Sequence, residues 1–168
     1  VHQGRPEEYA HVREILEPLQ VPLYVIPGNR DHRDSLRAAF DDHDYFPANG
    51  NFLHYTIENH ALRIVALDSI AAGDEAGDNK GAFCGRRLAW LDESLSQAPD
   101  RPTVLIIHQP PFDVGRHYVG GYRRPREAAN LAATVGRHPQ VMRLLCGHVH
   151  RMHREQWGGT VATAIPSI

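Results

Sequence analysis

The fold of this chain is decided by the stretch Thr103–Pro111, which reads Thr-Val-Leu-Ile-Ile-His-Gln-Pro-Pro. Its first five residues are apolar or β-branched, which favours a buried β-strand. The strand has to end near His108, because two prolines follow and neither can donate a backbone hydrogen bond. A histidine therefore stands at the carboxyl end of a buried strand, where open α/β sheets place their ligand sites.

Predicted helices and strands alternate on both sides of this strand. Residue spacing predicts helices over residues 6–20, 33–40, 86–97 and 126–135. Apolar runs predict further strands over residues 22–27, 52–58, 62–68, 141–146 and 160–165, of which 52–58 and 62–68 form a hairpin. Residues 71–81 and the stretch after Pro111 are predicted loops. The alternation indicates an α/β fold in one domain, residues 1–168.

Composition narrows the classes of function. The 168 residues carry a formal net charge of −2, which argues against nucleic-acid binding because that function normally needs a strongly basic face. No apolar run approaches the roughly 20 residues of a membrane span, so no membrane partner is expected. Two cysteines, Cys84 and Cys146, are too few for a disulfide scaffold and favour a reduced, cytoplasmic setting.

Two more predicted strands end in polar clusters. One is followed by Gly28-Asn29-Arg30-Asp31 and the other by Gly147-His148-Val149-His150. Asparagine and histidine are suitable ligands for zinc, manganese or iron. Each cluster alone is weak evidence, since a lone histidine is more often structural and a Gly-Asn pair is often only a turn. Taken together with His108, the three strand ends predict convergence on one metal site.

These three clusters, in this order, resemble the motifs of the calcineurin-like metallophosphoesterases. Gly-Asn-Arg-Asp at 28–31 resembles the family's Gly-Asn-His-Asp/Glu, and His108 before Pro-Pro resembles its motif histidine. The segment at 147–150 is similar to Gly-His-x-His. Four further segments resemble the bacterial cyclic-nucleotide and glycerophosphodiester phosphodiesterases, namely residues 66–69, 88–91, 146–151 and 157–160.

The resemblance implies a four-layer α/β/β/α sandwich of two mixed sheets, which lacks its first strands in this chain. It implies that Asn29, His108 and His148 ligate a second metal and that His150 ligates a first. Two divalent or trivalent ions such as Mn, Fe or Zn would generate a hydroxide that attacks phosphorus in a small phosphodiester, a cyclic nucleotide or glycerophosphodiester. Family members often assemble, so a homo-oligomer is expected.

One departure from the family pattern leaves alternatives open. The family's Asp-x-His and Gly-Asp motifs, which precede its Gly-Asn-His-Asp/Glu motif, supply first-metal ligands and a bridging carboxylate, and neither occurs before Gly28 in this sequence. Asp31 and Asp68 fit other positions of the pattern. A chain beginning at Val1 is therefore expected to bind at most one metal well, with little turnover, unless its gene encodes those motifs upstream. The alternatives are an inactive remnant with one metal site, and a phosphomonoesterase or protein phosphatase on the same fold.

A second departure is Arg30, where the family usually has histidine. A guanidinium with a pKa above about 12 cannot act as a general acid near neutral pH, but it can pair with phosphate oxygens. Arg30 is therefore the candidate catalytic residue, with a solvated turn residue as the alternative and His32 as a weaker source of the acid. A substrate rim or a solvated loop is predicted at six positions: Arg116, His117, Tyr118, Arg123, Arg124 and Arg126.

Overall fold

The structure is a computed structural model that describes residues 1–71, 80–115, 122 and 124–167. Its helices are α1 (Pro6–Leu16), α2 (Arg33–Ala39), α3 (Gly85–Ser96) and α4 (Pro125–Val135). Its strands are β1 (Tyr55–Ile57), β2 (Arg63–Leu67), β3 (Thr103–Ile107), β4 (Val141–Cys146), β5 (His153–Trp157) and β6 (Thr160–Ala164). Each of the four predicted helices is present, although α1 stops at Leu16 because Pro18 cannot continue it.

The described strands form one mixed sheet in the order β1-β2-β3-β4-β6-β5. Strands β2, β3, β4 and β6 are parallel to one another, while β1 and β5 pair antiparallel at the two edges. The strand that decides the fold, β3, lies between β2 and β4. The carboxyl ends of β3 and β4 therefore share one edge of the sheet, which brings His108 close to the Gly147–His150 segment.

Helices cover both faces of the sheet. One core cluster joins the sheet to α3 and α4 through Val65, Leu91 and Leu131, and the other joins it to α1 and α2 through Ala66 and Leu36. The predicted α/β class is confirmed. The second sheet implied by the family resemblance has no strand among the described residues. None of the described helices is both long and apolar enough to cross a membrane.

One predicted strand is absent, and one observed strand was not predicted. Residues 22–27 form no β-ladder within the described part of the chain. Instead, the Val25 backbone N–H donates to the Tyr45 hydroxyl, and the Val25 carbonyl accepts from the Tyr55 hydroxyl, so side chains supply bonds that a neighbouring strand would make. Strand β5 was not predicted, because His153–Trp157 alternates between exposed and half-buried residues and has no apolar run.

Candidate metal centre

Asn29 lies in a tight turn that is closed on itself. The Asp31 backbone N–H donates to the Gly28 carbonyl at 3.1 Å, and the Asp31 carboxylate accepts the Gly28 N–H at 2.7 Å. A side chain that bonds its own backbone in this way is a common means of fixing a turn. The turn thus presents the Asn29 side chain at the edge of the sheet in a defined direction.

The two histidines reach the same edge from adjacent parallel strands. His108 directly follows β3, and the Gly147 N–H donates to the His108 carbonyl at 3.1 Å, which continues the pairing of β3 with β4 past their ends. His148 and His150 both adopt left-handed backbone conformations, with φ of 69° and 53°. Such a conformation costs about 1–3 kcal/mol in a non-glycine residue and is concentrated at functional sites.

Three donor atoms meet at this edge, and we call them the donor triangle: Asn29 Oδ1, His108 Nε2 and His148 Nδ1. The asparagine oxygen lies 2.9 Å from the His108 nitrogen and 3.3 Å from the His148 nitrogen, and the two nitrogens are 3.2 Å apart. Ligands held about 2.0–2.2 Å from one zinc-like ion lie about 3.0–3.5 Å from one another. The donor triangle therefore has the dimensions of three ligands to a single ion.

The protonation state of His108 also suits a ligand. Burial, reinforced by the neighbouring His148 and His150 imidazoles, lowers the pKa of His108 to about 3. The ring is therefore neutral near pH 7 and can offer a nitrogen lone pair to a metal. Gly28 makes room for this ring, because a Cβ at that position would stand 3.0 Å from His108 Cε1. The histidine and the turn that carries Asn29 are thus packed directly together.

The donor triangle opens into a cavity of about 570 Å³. Arg30 and His150, both exposed, line this cavity, so the structure brings the four predicted metal ligands and Arg30 to one place. His2 and Arg151 also line it, and neither was given a role from the sequence. Arg151 could have been suspected because it adjoins His150, whereas His2 carries no motif signal.

Carboxylates are scarce around the donor triangle. Within the described ranges, no group of three or more His, Cys, Asp or Glu side chains is placed to hold a metal ion. Asp31 is bonded to Gly28 and to Tyr9, while Asp68 is fully buried in an ion pair with Arg33, 2.6 Å from its Nε. Both aspartates thus have structural partners, and the donor set consists of two imidazoles and one amide.

The predicted substrate rim is only partly described. Arg116, His117, Tyr118 and Arg123 lie outside the described residues. Arg124 and Arg126 line a different cavity, beside Cys84 at the start of α3. The structure therefore places these two arginines away from the cavity that contains the donor triangle.

The sequence model of the calcineurin-like phosphoesterases matches residues 1–152. This chain belongs to the calcineurin-like phosphoesterase family. Membership of the family implies divalent metal ions, and the nitrogen and oxygen donors of the triangle fit such ions.

Curated relatives of this phosphoesterase carry phosphodiesterase names. It is 35% identical over 164 residues to the probable glycerophosphodiester phosphodiesterase GpdQ of Arcobacter nitrofigilis, covering 98% of this chain and 58% of that protein. It is 30% identical over 159 residues to the 3',5'-cyclic adenosine monophosphate phosphodiesterase CpdA of Escherichia coli K12, covering 95% and 54%. The chain therefore spans rather more than half the length of these relatives.

A solved structure supports the fold. The dimetal phosphatase from Danio rerio superposes with a TM-score of 0.74 at 15% sequence identity, covering 95% of this chain and 65% of that one. At this identity the likeness bears on architecture alone. It confirms that this calcineurin-like phosphoesterase has the metallophosphoesterase fold.

Proposed function

We propose that this protein is a metal-dependent phosphodiesterase in which Asn29, His108 and His148 hold one divalent ion. The observation that carries the proposal is the donor triangle, whose three sides measure 2.9, 3.2 and 3.3 Å. Its position at the carboxyl ends of parallel strands is the usual one for a site in an α/β sheet. A pair of bound divalent ions would stabilise charge on the phosphoryl oxygens, and we propose His150 as a ligand of the second ion.

The substrate we propose is a small phosphodiester, either a glycerophosphodiester or a cyclic nucleotide. Both classes appear in the names of relatives that are 35% and 30% identical to this chain. The cavity of about 570 Å³ is within the range of about 300–1,000 Å³ that is typical for small-molecule sites. We also propose that the protein is a cytoplasmic homo-oligomer, as expected from its cysteines and from the family.

Arg30 is the proposed phosphate clamp. It follows the ligand Asn29 directly and lines the same cavity, so its permanent positive charge faces the place where a phosphoryl group would lie. We expect Arg30→Ala to lower kcat for a diester by about 100- to 1,000-fold, since removing one preorganised donor to a developing charge typically has an effect of this size. Arg30→His, which restores the usual family residue, should retain or raise activity.

The clamp is tested by steady-state kinetics on the protein as its gene encodes it. Arg143→Ala serves as the matched control, because Arg143 is an exposed residue of β4 whose guanidinium bonds only the adjacent Met142 carbonyl in the described structure. The control should keep the wild-type kcat. Equal kinetics for Arg30→Ala and Arg143→Ala would show that Arg30 is only a solvated turn residue.

The function itself is tested by comparing two chromogenic substrates. The gene-encoded protein is loaded with Mn²⁺, and hydrolysis of bis-p-nitrophenyl phosphate is compared with that of p-nitrophenyl phosphate. A higher kcat/KM for the diester is the expected result. Preference for the monoester would replace the phosphodiesterase with a phosphomonoesterase. Metal binding without turnover of either compound would indicate a metal-binding remnant.

A further inference from the structure

The turn that carries Asn29 is held from outside by helix α1. We propose that Tyr9 is a positioning residue for the metal site, which acts through Asp31 to fix the orientation of Asn29. This inference rests on the proposed function, because it takes Asn29 to be a metal ligand. Tyr9 belongs to none of the family-like motifs, and it stands 22 residues before Asp31 in the chain.

The contacts form a continuous path from the helix to the turn. Tyr9 is 1% exposed, and its hydroxyl donates to Asp31 Oδ1 at 2.8 Å. The same hydroxyl accepts the His32 backbone N–H at 3.3 Å. The other carboxylate oxygen, Oδ2, accepts the Gly28 N–H at 2.7 Å. The Asp31 carboxylate thus bridges α1 and the residue that precedes Asn29.

This bridge matters because the turn has little room to move. Gly28 lies against the His108 ring, where even a Cβ would come within 3.0 Å of Cε1. A displacement of Gly28 by a few tenths of an ångström would therefore shift Asn29. It would also displace the His108 ring, which carries another atom of the donor triangle. The Asp31 carboxylate resists that displacement only while its own rotamer is fixed, and the Tyr9 hydroxyl supplies this fixation.

A second contact ties the same N-terminal segment to the turn. Gly4 has a left-handed φ of 67°, and a Cβ placed on it would stand 2.4 Å from His32 Cδ2 and 2.9 Å from the Arg30 carbonyl oxygen. Only glycine allows such a close approach of the two backbones. The segment before α1 and the first turns of α1 therefore both contact residues 30–32. Tyr9 makes the hydrogen bond to Asp31, in the turn that carries Asn29.

The test compares two tyrosine-to-phenylalanine variants in the gene-encoded protein. Tyr9→Phe removes the hydroxyl and keeps the ring. Tyr55→Phe is the matched control, because Tyr55 is buried in the same core cluster and its hydroxyl donates to the Val25 carbonyl at 2.7 Å. Co²⁺ is the probe, since its visible absorption reports the geometry of its ligands. We expect Tyr9→Phe to raise the Kd for Co²⁺ by about 10-fold or more, as is typical for residues that orient metal ligands.

The spectrum and the controls distinguish positioning from packing. The Co²⁺ absorption should change in Tyr9→Phe and stay as in the wild type in Tyr55→Phe, at similar melting temperatures for the two variants. In an Asp31→Ala background, adding Tyr9→Phe should change the Kd by less than twofold. A wild-type Kd and spectrum for Tyr9→Phe, or an equal weakening in both tyrosine variants, would overturn this inference alone. A folded wild type that takes up no Co²⁺ would overturn the proposed metal site as well.

Discussion

Replacement of His108 by alanine is expected to abolish metal binding at the donor triangle and, with it, diester hydrolysis. His108 Nε2 stands 2.9 Å from Asn29 Oδ1 and 3.2 Å from His148 Nδ1, and alanine offers no donor atom in its place. Residues that merely orient a ligand cost about 10- to 100-fold in affinity or activity, so loss of the ligand itself should cost more than about 100-fold. The measurement is metal content after dialysis against Co²⁺ or Mn²⁺, together with kcat for bis-p-nitrophenyl phosphate.

His11→Ala is the control for this experiment. His11 is an exposed histidine on α1 whose Nδ1 lies 3.5 Å from Glu14, and it does not line the metal cavity. The variant should bind metal and turn over substrate as the wild type does. If His108→Ala still retains one equivalent of metal with unchanged affinity, the donor triangle is not the site of binding.

Much of the site could be predicted because it follows from rules that act locally. Strands β3 and β4 have the predicted bounds, since each is an apolar run that ends at a histidine or a glycine. Parallel strands present their carboxyl ends at one edge, so the approach of His108 to His148 follows from the strand pattern alone. Asn29 reaches them although residues 22–27 form no strand, because that segment packs on the sheet face through partly buried apolar residues.

The rest depends on contacts between residues far apart in the chain. Tyr9 donates a hydrogen bond to Asp31, which lies 22 residues later in the chain. A single contact over that distance produces no repeating pattern in the sequence, so it could not be predicted. His54 lies in none of the sequence motifs, yet it is 6% exposed and accepts the Asp68 backbone N–H at 3.0 Å. Its burial is decided by the sheet and helix that pack around it. Tertiary partners of this kind are visible only in the folded molecule.

His54 leads to the second large effect, which is a loss of stability in mild acid. Burial lowers the pKa of His54 to about 4 and that of His108 to about 3, against an ordinary value near 6.5. Between pH 6.5 and 4.5 the unfolded chain therefore takes up protons at these positions while the folded, metal-free protein does not. Stability must then fall as the pH falls, by up to about 1.4 kcal/mol per pH unit for each such histidine.

Carboxylates contribute to the change of stability only in the lower half of this pH range. The pKa values of Asp42 and Glu58, which pair with Arg13 and Arg63, are lowered from ordinary values of 3.8 and 4.5. A carboxylate with a lowered pKa gives stability that is present above its ordinary value and is lost below it. Because protonation of the unfolded chain begins about one pH unit above these values, their contributions begin to disappear below about pH 5.5, and the slope above that pH reports the buried histidines.

The variant His54→Asn isolates one of the two histidines. The asparagine oxygen can accept the Asp68 N–H as His54 Nδ1 does, but asparagine does not titrate. In a protonated His54, by contrast, Nδ1 would carry a hydrogen that points at the Asp68 N–H, and the hydrogen bond would be lost. Urea unfolding in EDTA at several pH values from 4.5 to 6.5 should give a slope that is shallower than wild type by up to about 1.4 kcal/mol per pH unit. Lower stability at pH 6.5 is also expected, because the smaller side chain gives up the stacking of the His54 ring on Trp90 at 4.7 Å.

His11→Asn makes the same exchange on the surface and should leave the slope unchanged. A wild-type slope in His54→Asn would mean that His54 is protonated in the folded protein, and that its burial does not hold the imidazole neutral.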